Sequence, residues 1–211
     1  MRVRVKVCGI TRLENAEAAA AAGVDAIGFM FFAGSPRCID LTKAADIARS
    51  LPPFVARVGV FVNPSESEVR EAVQTCGLTA VQFHGEETPE FCARFLPLPV
   101  IKAFRIKDAE SLAALPAYDM AHAWLLDAYV PGQRGGTGAR FNWNLAIEAR
   151  KLGRPIILAG GLTPDNAAQA IHEVHPEALD VSSGVESAPG IKDPALIHRF
   201  MAGVRAMRKV I

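Results

Sequence analysis

The chain has 211 residues, with 23 Lys and Arg against 22 Asp and Glu, a formal net charge of +1 and no basic or acidic run, so nothing in it calls for a nucleic acid or a membrane surface as partner. Half of the residues are hydrophobic, enough for a large core, and no linker or low-complexity tract divides the sequence, so residues 1–211 read as one domain. Apolar runs are too short to span a bilayer, the first segment reads as a strand rather than a signal peptide, and Cys8, Cys38, Cys76 and Cys92 lack metal or disulfide-framework spacing; a soluble protein of the reduced cytoplasm is expected.

In chain order, Val3–Val7 is the first apolar run. It ends in Cys8-Gly9, then comes Thr11 with Glu14 at capping-box spacing and an alanine-rich stretch, Asn15–Ala22, stopped at Gly23. Ala26–Phe31 leads into Ser35-Pro36-Arg37, with Thr42 as a weaker cap. Ala56–Val62 ends at Asn63, and Ser65 with Glu68 repeats the capping box. Thr79–Phe83 closes in Gln82-Phe83-His84-Gly85, before Thr88-Pro89, a capping oxygen ahead of a proline that needs no amide hydrogen. Pro99–Phe104 ends at Arg105, and Asp108–Leu115 is so short that it reads as little more than a turn. Ala123–Leu126 ends in Asp127 and enters a glycine-rich loop, Gly132–Gly138, before Asn142, a second weak cap. Pro155–Ala159 gives Gly160-Gly161 and then Thr163-Pro164; Ala178–Val181 gives Ser182-Ser183-Gly184, and Asp193-Pro194 opens the final helix.

This is strand then helix, eight times. Eight parallel strands with crossover helices close into an α/β (β/α)8 barrel, the TIM barrel, and abolish both sheet edges. An open doubly wound sheet is the rival arrangement. In a barrel the chemistry lies at the C-terminal strand ends, so the punctuation residues become the candidate site.

Period-two alternation puts Arg4, Lys6 and Cys8 on one face of the first strand and Val3, Val5 and Val7 on the other. The valines suit the helix side, so Cys8 points inward at the mouth with Lys6 one layer below, where an ammonium would favour the thiolate. If Ser182 also faces the mouth, Asp180 shares that register, and closure of the barrel predicts a Lys6–Asp180 contact. Cys8 can otherwise be a small core residue, as most free cysteines are. Asp127 can be a base or acid facing Cys8, or only a cap for its loop. The glycine turns after strands seven and eight suit a phosphate, through bare amides and helix dipoles, or else serve only as tight turns.

Val5-Lys6-Val7-Cys8-Gly9-Ile10-Thr11, Ser35-Pro36-Arg37, Gln82-Phe83-His84-Gly85, Leu126-Asp127-Ala128 with Gly135-Gly136-Thr137-Gly138, Leu158-Ala159-Gly160-Gly161-Leu162 and Asp180-Val181-Ser182-Ser183-Gly184-Val185-Glu186 together resemble the phosphoribosylanthranilate isomerases of tryptophan biosynthesis. The resemblance runs from the first strand to the last helix. It implies an Amadori rearrangement without a cofactor, turning N-(5-phosphoribosyl)anthranilate into 1-(2-carboxyphenylamino)-1-deoxyribulose 5-phosphate. Asp127 matches the family's general acid and Cys8, as thiolate, its general base. Arg37 matches the residue that takes the anthranilate carboxylate, for which a planar guanidinium offers two parallel hydrogen bonds. Gln82, His84, Gly160, Gly161, Asp180, Ser182, Ser183 and Gly184 complete the expected substrate-binding set.

Other barrel chemistries fit less well. A metal-dependent epimerase wants several histidines and carboxylates at strand ends, where only His84 and Asp127 stand, so no metal is expected; His172 and His175 flank a helix end away from the mouth. A Schiff-base aldolase wants a lysine at a strand end, and Lys102 lies within the fifth strand with its facing undetermined. A barrel that only binds a sugar phosphate is the non-enzymatic alternative. The expected partner is a small phosphorylated substrate, the chain a monomer or homodimer. The run Phe29–Phe32 suits either core or a dimer contact, and 129–140 is the expected lid.

Overall fold

In a computed structural model, residues 2–128 and 142–207 are described. The glycine-rich loop, including the expected lid, lies outside them.

Eight strands form one closed parallel barrel: β1 (Arg4–Cys8), β2 (Ala26–Met30), β3 (Ala56–Phe61), β4 (Ala80–Phe83), β5 (Val100–Ile106), β6 (Ala123–Ala128), β7 (Ile156–Leu158) and β8 (Ala178–Val181). Neighbours pair in chain order, and β8 returns to β1 with Lys6 opposite Asp180. The rival open sheet is thereby excluded. Alternation holds on β1: Val5 and Val7 are buried in the apolar layer between sheet and helices, whereas Lys6 and Cys8 face the barrel axis. Below the mouth the interior is filled by a small second cluster, Ala103, Leu125, Ile157 and Ala159, which supports the residues above it.

Helices α1 (Leu13–Ala21), α2 (Leu41–Ser50), α3 (Glu66–Cys76) and α4 (Pro89–Ala93) follow the first four strands; α5 (Trp143–Arg150), α6 (Ala167–Val174) and α7 (Pro194–Ala206) follow the last three. After β5 the chain makes a 3-10 helix, Glu110–Tyr118, opened by Asp108, whose carboxylate accepts from the Ser111 amide at 3.0 Å. Pro116 within it has no amide hydrogen to give an α-helical ladder. Ser65 and Glu68 form the expected capping box, and Thr88, Asn142 and Asp193 cap as expected.

Three expected caps are not caps. The Thr11 hydroxyl donates to the Gly190 carbonyl at 2.6 Å, so α1 starts after an uncapped Arg12. Asp40, not Thr42, accepts the Lys43 amide at the start of α2. Thr163 lies in a turn ahead of α6: its amide donates to Asn166 Oδ1 at 2.9 Å, while Asn166 Nδ2 donates to the Gly161 carbonyl at 2.8 Å. In the first case a partner far along the chain outcompetes the local cap.

After β8, a short 3-10 turn (Ser183–Val185) leads into a two-stranded antiparallel hairpin, β9 (Glu186–Ala188) and β10 (Ile191–Lys192). Asn15 of α1 clamps this hairpin from below, bonding both the amide and the carbonyl of Lys192 at 3.1 and 2.9 Å. The run Phe29–Phe32 is divided by strand alternation. Phe29 is fully buried on the helix side, Phe31 stacks on Phe61 with centroids 5.3 Å apart, and Met30 and Phe32 line the cleft at the mouth.

Candidate active site

The strand ends enclose one cleft whose walls include Cys8 of β1, Arg37 of the β2–α2 loop, Gln82 and His84 at the end of β4, Asp127 of β6, Gly160 and Gly161 after β7, and Asp180, Ser182 and Ser183 at the end of β8. The sequence-predicted residues therefore converge, with one exception. Gly184 does not line the cleft; the Leu162 carbonyl occupies the space where its Cβ would sit, so close packing of the β7 and β8 loops demands glycine there. Gly160 and Gly161 have φ of +77° and +65°, left-handed values that turn the chain sharply beside Asp127. A Cβ on Gly160 would also come within 3.0 Å of Asp127 Oδ1.

Beneath the mouth, Lys6 Nζ donates to Asp180 Oδ2 at 2.8 Å, the contact that the registers of β1 and β8 predict. Burial would lower the Lys6 ammonium, but the Asp180 carboxylate, foremost among its partners, outweighs it and raises its pKa. Gly28 on the adjoining strand makes room for this group, since a Cβ there would lie 2.8 Å from Cys8 Sγ. The expected thiolate needs correction. Burial pushes the Cys8 thiol above its ordinary value, Lys6 and Lys192 pull the other way, and Asp180 adds to the rise. Lys6 acts in the anticipated direction, but its charge is committed to Asp180, so desolvation wins.

Asp127 is anchored through Oδ1, which accepts the Ala128 amide at 2.9 Å; Oδ2 lies 3.4 Å from His84 Nε2. His84 Nδ1 in turn lies 3.4 Å from Gln82 Nε2. Three buried atoms of these cleft residues, Gln82 Oε1, His84 Nε2 and Asp180 Oδ1, have no hydrogen-bond partner among the described residues. Orphaned polar atoms are rare in native interiors, and here three belong to residues that line one cleft.

Arg37 is held edge-on by Glu186, Nε to Oε1 at 2.8 Å and Nη2 to Oε2 at 2.7 Å. Its aliphatic stem lies across Gly9, where φ is +75° and a Cβ would meet Arg37 Cδ at 2.6 Å. Glu186 ends one of the family-like stretches without a role attached to it, and Lys192 is marked by no local pattern, because the partners of both come from distant parts of the chain. Lys102 is resolved by its facing. It lies on the helix side of β5, buried and paired with Glu87 at 3.0 Å, and takes no part in the cleft.

A closed parallel barrel with a carboxylate and a thiol opening into one cleft at its mouth, and glycine turns on the same rim, defines the class: a (β/α)8-barrel enzyme suited to proton transfer on a small molecule. Comparison narrows that class. The family model described as N-(5'phosphoribosyl)anthranilate (PRA) isomerase matches residues 5–202, and the chain belongs to this family. An N-(5'-phosphoribosyl)anthranilate isomerase of Citrifermentans bemidjiense is 55% identical over 199 residues, 94% of this chain and 95% of its own. The crystal structure of phosphoribosyl anthranilate isomerase from Thermotoga maritima superposes with a TM-score of 0.91 at 40% identity, covering 97% of this chain and 99% of that one. A second structure of a phosphoribosyl anthranilate isomerase, in complex with reduced 1-(o-carboxyphenylamino)-1-deoxyribulose 5-phosphate, has a TM-score of 0.88 at 40% identity over 97% of this chain and 99% of its own.

Proposed function

We propose that the chain isomerises N-(5-phosphoribosyl)anthranilate to 1-(2-carboxyphenylamino)-1-deoxyribulose 5-phosphate, a step of tryptophan biosynthesis, in a cytoplasm that keeps its four cysteines as free thiols. The observation that carries the reading is the opening of Cys8, Asp127 and Arg37 into one cleft.

The substrate bridges the mouth. Its phosphate lies against the turns at Gly161 and Ser183, where bare amides and the Ser183 hydroxyl are available, and its anthranilate carboxylate meets Arg37. Asp127, with Oδ1 taken by the Ala128 amide, presents Oδ2 and donates a proton to the ring oxygen, which opens the furanose to an iminium ion. Cys8 then removes the C2 proton. The enolamine tautomerises to the ketone, its C2 hydroxyl losing a proton and C1 gaining one.

This sequence requires Asp127 protonated and Cys8 ionised, whereas burial favours the thiol in the free site. The iminium cation adds a positive charge to that of Lys6, which is already shared with Asp180, at the moment the base is needed. After proton abstraction Cys8 is again a thiol, the form its surroundings favour. The test is a turnover assay on enzymatically generated phosphoribosylanthranilate, following loss of anthranilate fluorescence. Decay proportional to enzyme is expected. Binding of ribose 5-phosphate with no fluorescence loss would make the cleft a binding site without this chemistry.

A further inference from the structure

The β9–β10 hairpin places a second cation behind the substrate-facing arginine. The Lys192 side chain is fully buried and its ammonium donates to Glu186 Oε1 at 2.6 Å, to the Ser182 carbonyl at 3.2 Å and to the Ser182 hydroxyl at 3.3 Å. Glu186 is shared: the same carboxylate clamps Arg37 through both oxygens and accepts the Gly190 amide at 3.3 Å. Ser182 passes the connection on, its hydroxyl donating to the Cys8 carbonyl at 3.0 Å. A chain of bonds thus runs from Arg37 through Glu186, Lys192 and Ser182 to the residue bearing the thiol. Without Lys192, the Arg37–Glu186 pair would be neutral, and a bidentate carboxylate partner already in place would weaken the pull of Arg37 on a second one.

We propose that Lys192 and Glu186 are positioning residues that set the aim and effective charge of Arg37, leaving the buried trio with a net charge of +1 toward the cleft. Two cations share one carboxylate, so a ligand carboxylate at Arg37 completes a neutral four-membered cluster. This selects for a substrate with a carboxylate at the end remote from its phosphate. The inference rests on the reading that Arg37 receives that carboxylate.

The test compares two ligands, the reduced product analogue 1-(o-carboxyphenylamino)-1-deoxyribulose 5-phosphate, which has a carboxylate, and ribose 5-phosphate, which has none. Lys192→Met should weaken the first about tenfold and the second less than about twofold. Glu186→Gln added to Lys192→Met returns the net charge to +1 and should restore at least about a third of the lost affinity. Glu186→Gln alone raises the charge to +2 and should increase the preference for the carboxylated ligand, which keeps the test open if Lys192→Met does not fold. Equal losses for both ligands, a double variant no better than Lys192→Met, or an unchanged preference in Glu186→Gln would overturn the proposal, because a merely structural lysine gives no rescue by charge count. Arg37→Ala is the parallel control: if it fails to discriminate between the ligands, the carboxylate assignment falls and the proposal with it. If Arg37→Ala discriminates and the Lys192 variants do not, only the positioning role falls.

Discussion

Lys102 and Lys6 are both buried lysines paired with a carboxylate, on opposite faces of the same sheet. On the helix side, Lys102 donates to Glu87 at 3.0 Å and to the carbonyls of Gly85 at 2.7 Å, Ala103 at 3.3 Å and Phe83 at 3.4 Å. Glu87 in turn accepts the Asn63 amide at 2.8 Å and the Gly85 amide at 2.9 and 3.1 Å. That cluster ties the β3 and β4 loops to each other and to β5, and leaves neither Lys102 nor Glu87 with an orphaned buried atom among the described residues. On the axis side, Lys6 bonds Asp180 Oδ2, but Asp180, which lines the cleft, has a buried Oδ1 with no partner among the described residues. The chemistry is the same and the completeness differs. A saturated buried ion pair is architecture, and one left with an open valence at a cavity awaits a ligand.

The sharpest way to break this contrast is on the Lys6 side. Cys8→Ser preserves shape while offering an alcohol that scarcely ionises, so turnover should fall by ~10²–10⁴-fold with stability nearly unchanged. Steady-state kinetics beside thermal unfolding checks it, and near-parental turnover would hand the role of base to another group, His84 first. Asp127→Asn should behave likewise. On the Lys102 side the loss should move to the other observable. Glu87→Gln removes the charge that Lys102 faces and should cost about 3–5 kcal/mol in stability, while kcat of the folded protein stays within about twofold. Denaturant unfolding with activity measured below the transition separates the two; a stable but inactive variant would show that the saturated cluster serves catalysis after all. The smallest effect concerns reactivity. Because burial raises the Cys8 thiol, its thiolate fraction grows only at higher pH, so iodoacetamide labelling of Cys8 should be slow at neutral pH and still be rising beyond the ordinary thiol value of 9.0. Exposed Cys38 should label first. Mass spectrometry of the labelled peptides across pH decides it, and rapid labelling of Cys8 at pH 7 would mean that Lys6 wins over burial.

Much of this arrangement is legible in the sequence because it follows from short periods. Alternation on β1 and β8 puts Lys6, Cys8, Asp180 and Ser182 on the barrel axis, and closure makes the outer two strands neighbours, which yields the Lys6–Asp180 contact. The strand-end residues fall around one mouth for the same reason. What stays illegible depends on pairings that no local window contains. Thr11 has the spacing of a cap, yet its hydroxyl goes to Gly190, far along the chain. Lys102 shows an ambiguous facing until Glu87 is placed beside it. Glu186 closes a family-like stretch and Lys192 looks like an ordinary loop charge, and their partnership acquires meaning only when Arg37 arrives from the second crossover. The sign of the Cys8 shift was hidden likewise, since it depends on how completely the sulfur is buried.

The pairing of β1 with β8 also sets when the site comes into being. The Lys6–Asp180 and Ser182–Cys8 bonds both join positions 174 apart. Contacts so distant in sequence form only after the intervening chain has been ordered. During synthesis, a chain that has emerged only as far as β7 has Cys8 without the Ser182 hydroxyl on its carbonyl, Lys6 without its carboxylate, and Arg37 without Glu186. It also carries two open sheet edges, the feature by which unfinished barrels associate with one another. The docking of the eighth strand therefore closes both sheet edges and brings the Cys8 and Lys6 partners into place together, and the Glu186 partner of Arg37 follows in the hairpin directly after it.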